Sequence, residues 1–162
     1  MIYIYLILSF LLEAICTNIF SLDSLFIPLF TLTALVIIYP CFNNKIFNFI
    51  ITSVILGLVY DIAFSSSIFI NTIVFGISSA LIILLYNYVN FSIYSSILFN
   101  IVIIIFYRLV SYLILCVIEY LNFNQSLLFK GIYSSLIINI LYGIVSYILL
   151  YYILNKNKNN NF

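Results

Sequence analysis

The sequence predicts an all-α polytopic integral membrane protein with six transmembrane helices and short loops. Three observations carry that expectation. Of 162 residues, 67% are hydrophobic and 6% are charged. An average soluble domain of this length, at roughly 25% charged, would hold about 40 charges. The nine present, five Lys or Arg and four Asp or Glu, cannot cover a water-facing surface. The mean hydropathy of +1.33 also excludes a disordered chain. Finally, the apolar residues fall in runs close to the roughly 20 that one helical crossing needs.

The first run, 1–20, lacks the basic leader and small-residue cleavage site of a signal peptide and is interrupted by Glu13, so it reads as a retained span. The turn formers Ser21, Asp23 and Ser24 end it, with Asp23 as a helix-cap or loop residue. A second span over 25–41 has Pro28 in its first turn, where a missing N–H costs little, and Pro40 at its far end. Asn43, Asn44 and Lys45 then form a polar loop. The third span, 46–64, contains Gly57 and Asp61. The short connection Ser65, Ser66, Ser67 makes it the antiparallel neighbour of a fourth span over 68–86. Residues 91–121 are long for one crossing; the fifth span is placed at 94–119 with Arg108 inside it. Residues 121–130 read as a loop and 131–154 as the sixth span, so 1–154 form one transmembrane domain without an internal repeat. A frayed polar tail, 155–162, follows.

Loop charge sets the expected orientation. Lys45, Lys156 and Lys158 fall on the same side as the N-terminus and Lys130 opposite, which favours both termini in the cytoplasm. Tyr3, Tyr39, Tyr88, Tyr120 and Tyr151 near span ends stand in for the absent Trp at the interfaces.

Several functions are excluded at this point. Without His there is no H-E-x-x-H metal site and no Ser-His or Cys-His dyad. A net charge of +1 offers no patch for nucleic acid. Cys16, Cys41 and Cys116 are odd in number and far apart, so they read as apolar filler. No catalytic, cofactor-binding or metal-binding residue is expected, and the bilayer itself is the first partner.

Ionisable groups at membrane depth are costly, on the order of 2.5–3.5 kcal/mol each, so Glu13, Asp61 and Arg108 need an explanation. At a rise of about 1.5 Å per residue all three fall in the outer half of their spans, where Asn71 and Asn139 join them. The expected arrangement is an intramembrane polar cluster in which Arg108 pairs with Glu13, Asp61 or both. Helically spaced neighbours mark the buried stripes: Glu13 with Thr17, Gly57 with Asp61, Arg108 with Ser111 and Tyr112, and Ser135 with Asn139 and Gly143. Gly76 and Ala80 offer a similar small-residue surface on the fourth span. A register-fixing ion pair is the favoured reading of the cluster; partner binding comes second, and catalysis or ion conduction third.

Gly57, Leu58, Val59, Tyr60 and Asp61 close one span, a short Ser turn follows, and Asn71 and Thr72 open the next. This stretch, with the size and six-span plan of the whole chain, resembles the rod shape-determining MreD family, whose motif residues map here to Gly57 and Asp61. Many members of that family carry Gly where this sequence has Ile68 or Phe69. The resemblance implies a non-enzymatic scaffold of the bacterial cell-wall elongation machinery (the elongasome of peptidoglycan synthesis), in the cytoplasmic membrane. Such a scaffold would bind MreC and, through it, connect to MreB and the wall polymerase and transpeptidase. The same architecture is similar to that of the substrate-binding component of energy-coupling-factor transporters, which makes a vitamin-binding component the alternative. Such a component generally presents Ala-x-x-x-Ala on its first helix, and here that span has Ser9, Glu13 and Ala14.

Overall fold

The computed structural model describes residues 2–19, 27–42, 45–64, 69–89, 92–120 and 123–159. Asp23, the Asn43–Asn44 pair and the Ser65–Ser67 turn lie outside them. Six α-helices follow in order: α1 (Ile2–Ile19), α2 (Phe30–Ile38), α3 (Ile46–Phe64), α4 (Ile70–Tyr88), α5 (Ile93–Val117) and α6 (Gln125–Asn159), with a 3-10 turn at Tyr39–Phe42 after α2. No strand occurs among the described residues. Five of the helices are long and apolar enough to cross a membrane, all but α2.

The chain is folded with its apolar residues outward. On α1, Ile4, Ile7, Leu8, Leu11, Leu12 and Ile15 are exposed, while Leu6, Ser9 and Glu13 are buried. α3 buries Phe49, Ser53, Gly57 and Asp61, one residue per turn. A soluble protein would reverse that pattern, because exposed apolar area on this scale is unfavourable in water. In lipid it costs nothing, and helices are held by close packing and interhelical hydrogen bonds instead. Tyr3, Tyr88, Tyr120 and Tyr151 lie exposed near helix ends. Tyr39, expected with them, instead packs its ring on Phe49 and Tyr86.

α2 occupies the centre. All nine of its residues are buried, and it touches α1, α4, α5 and α6. Its Leu32, Leu35, Val36 and Ile38 form one apolar core with Leu6, Phe49, Phe75, Ile82, Phe99, Ile103 and Ile104. With its 3-10 turn it extends about 22 Å, well short of a hydrocarbon core of roughly 30 Å. It starts at Phe30, so Pro28 lies in the non-helical stretch Ile27–Leu29 rather than in a first helical turn. Pro40 sits inside the 3-10 turn, where its missing N–H ends the α-helix.

The other helix ends follow local chemistry. Ser92 and Ser95 form a reciprocal capping box at the start of α5, the side chain of each accepting from the backbone N–H of the other. α5 closes with Glu119 at φ 59°; Glu119 N donates to the Cys116 carbonyl and Tyr120 N to the Leu115 carbonyl, a Schellman end. Residues 91–121 therefore contain one helix. α6 begins at Gln125, inside the stretch read as a loop, because Asn124 Oδ1 accepts from both the backbone and the hydroxyl of Ser126. Its backbone stays helical to Asn159, through residues read as a frayed tail.

Two non-glycine residues hold left-handed backbone, Phe69 at φ 73° and Glu119 at φ 59°, a region that costs an ordinary residue about 1–2 kcal/mol. Phe69→Gly and Glu119→Gly should each raise stability by about 0.5–1 kcal/mol, less than the full strain because glycine also loosens the unfolded chain. The unfolding midpoint in neutral detergent, read by circular dichroism, checks both.

Candidate functional site

α2 and α4 both start inside the bundle, and a buried helix start leaves backbone N–H groups that need acceptors. Neither N-cap residue, Leu29 or Phe69, supplies a side-chain hydrogen bond. Acids on the preceding long helices do so instead. Glu13 of α1 is fully buried; its Oε2 accepts from Thr31 N at 2.8 Å and Thr31 Oγ1 at 2.7 Å, and its Oε1 from the Tyr60 hydroxyl at 2.8 Å. Asp61 of α3 does the same for α4. Its Oδ2 accepts from Thr72 N at 2.8 Å and Thr72 Oγ1 at 2.7 Å, and its Oδ1 from the backbone and side-chain N–H of Asn71 at 3.0 and 2.9 Å. In both places one carboxylate oxygen receives the N–H and the hydroxyl of a single Thr in the first helical turn. The positive end of the helix dipole favours the charge placed there.

Asn139 of α6 completes the start of α2. Its Oδ1 accepts from Leu29 N at 2.8 Å and its Nδ2 donates to the Ile27 carbonyl at 3.2 Å, while Ile27 N donates to the Ser134 carbonyl. Pro28 between them has no N–H to satisfy. The irregular backbone before α2 is thereby paired with protein, the condition for such backbone at membrane depth.

Tyrosines connect the two caps. Tyr60, next to Asp61 in sequence, reaches Glu13; Tyr107 of α5 donates to Asn71 Oδ1 at 2.5 Å. Both rings pack on Phe75, at centroid distances of 5.6 and 5.8 Å. Gly57 allows this closeness: a Cβ there would lie 2.8 Å from the Asn71 carbonyl oxygen and 2.8 Å from Thr72 Cα.

Glu13, Asp61, Asn71 and Asn139 are thus all drawn into pairing at helix starts. Arg108 is not. Its Nε and Nη2 atoms are buried without a hydrogen-bond partner. The expected ion pair with Glu13 or Asp61 does not form: Thr31 and Tyr60 already donate to the two oxygens of Glu13, and Asn71 and Thr72 to those of Asp61. The stripe of Ser135, Asn139 and Gly143 is buried as expected, with Gly143 against Asn100 and Thr33. Gly76 approaches Val54 on α3, whereas Ala80 faces outward. Among the described residues Thr17 bonds to its own helix, and Tyr112 pins the start of α6 by bonding both backbone groups of Asn124.

The residues that sequence reasoning missed are Thr31, Thr72, Tyr60 and Tyr107. Their signal was a Thr near the start of the span that follows an acid-bearing one. No family model matches the chain, and neither a curated protein nor a solved structure is similar to it.

Removing an acid leaves two or more buried donors without an acceptor, each costing about 1–3 kcal/mol. Glu13→Ala and Asp61→Ala should therefore destabilise by about 3 kcal/mol or more. Glu13→Gln and Asp61→Asn, which keep one acceptor oxygen, should cost about half as much. Unfolding in a detergent series reads the difference.

Proposed function

We propose that the chain is a non-enzymatic scaffold of the bacterial cytoplasmic membrane, of the MreD kind, that binds MreC and through it couples wall synthesis to MreB. The observation that carries this reading is the α3–α4 joint. The residues on which the resemblance rests, Gly57 and Asp61, are there the backbone contact and the acid that seat the start of α4 against α3. Phe69, which with Ile68 is one of the two positions where many members of that family carry Gly, adopts the left-handed backbone that glycine takes without strain. The engagement of every carboxylate oxygen of Glu13 and Asp61 by donors of the bundle, three of the four at helix starts, supports a structural use of these acids. On this reading α2 and its flanking residues make a sixth crossing, as in the six-span plan of energy-coupling-factor binding components. Both termini and Lys45 then lie in the cytoplasm and Lys130 lies outside.

Depleting the protein from a rod-shaped bacterium that encodes it should round the cells, and a MreC-type partner should copurify with it. Cells that keep their rod shape would sink the proposal. In a background lacking the three native cysteines, Lys130→Cys should react with an impermeant maleimide on intact cells, and Lys45→Cys only after permeabilisation.

A further inference from the structure

Among the described residues, Arg108 is the one charged group within the bundle that no helix start uses. Its buried, unpartnered atoms are Nε and Nη2. Those two nitrogens carry the parallel N–H bonds on one edge of the planar guanidinium, the edge that receives a single carboxylate or phosphate through two hydrogen bonds. No described residue fills it. Glu13 is held by Thr31 and Tyr60, Asp61 by Asn71 and Thr72, and the Tyr107 hydroxyl donates to Asn71. One turn along α5, Ser111 Oγ is buried without a hydrogen-bond partner. Arg108 as a residue is only half-buried; the two edge nitrogens themselves are sealed, so a ligand reaches them by displacing the side chains that cover them.

A buried cation with idle donors is costly, and a second charge-bearing group is the chemistry that removes the cost. We infer that Arg108 is the core of an oxyanion-binding site, its Nε/Nη2 edge gripping a phosphate or carboxylate that enters from outside the bundle, with Ser111 Oγ as an additional donor. A free anion and the phosphate of an anionic lipid present the same oxygens. The inference does not depend on the scaffold reading: it concerns a ligand of this chain, whichever partner the chain serves.

The test uses the full chain purified in neutral detergent, with its unfolding midpoint followed against inorganic phosphate, acetate and phosphatidylglycerol in separate titrations. At least one should raise the midpoint of the native protein saturably. Saturation by inorganic phosphate or acetate identifies a free anion, and saturation by phosphatidylglycerol alone identifies a headgroup. Arg108→Lys keeps the charge but loses the two-pronged edge, so it should weaken that response by about tenfold or more. Ser111→Ala, which removes one small donor, should weaken it several-fold; it decides alone if Arg108→Lys does not fold. No response of the native protein to any of the three, or a response that the variants leave unchanged, overturns the assignment.

Discussion

The structure depends on how helices that begin inside a bundle satisfy their first N–H groups. Away from water, each unpaired donor costs about as much as a lost hydrogen bond. α2 is the element most exposed to this constraint, because all its residues are buried and four other helices pack on it. Glu13 and Asn139 meet the need from opposite neighbours, α1 and α6. The central helix is therefore positioned by its ends as much as by its apolar sides. Loss of either acceptor loosens the element against which the bundle is assembled.

The solution appears twice, at different reach. The Thr31 and Thr72 pairs present the same two donors to one carboxylate oxygen at matching distances. Glu13 spans between helices that are less intimately packed, and the extra methylene of Glu covers the gap. Asp61 works at the tighter α3–α4 contact, where Gly57 lets the backbones of the two helices approach. The second oxygen of each acid takes a donor that ties in a further element: Tyr60 of α3 for Glu13, and Asn71 for Asp61, which Tyr107 of α5 then buttresses. The chain shows no repeat in sequence, yet it repeats this chemistry, because the same physical problem arises wherever a helix starts below the surface.

The apolar runs were legible, and the long helices stand close to where those runs place them; the stripe of Phe49, Ser53, Gly57 and Asp61 follows from helical spacing. What hydropathy misses is backbone. Ile27 and Leu29 are as apolar as the helix after them, so the run reads as one span although Pro28 and the pull of Asn139 keep it non-helical. Gln125, Ser126 and Lys130 make α6 look late, whereas the Asn124 cap starts it early. The ion pair was expected because formal charges are visible in a sequence and helix dipoles are not. Two carboxylates and one guanidinium expected in one leaflet look like a pair in waiting until the helix starts that compete for the acids are located.

That competition also separates Arg108 from the other polar residues. A late-starting helix needs acceptors, and the acids and amides converge for that reason. A guanidinium has only donors, so it can answer none of that need. Its presence among helix starts, which already supply excess donors and positive potential, works against their requirement rather than with it. A residue kept at such a place needs a different partner, one that brings its own acceptor oxygens. The two idle nitrogens on one edge of Arg108 are the shape of that partner's carboxylate or phosphate, written in the protein.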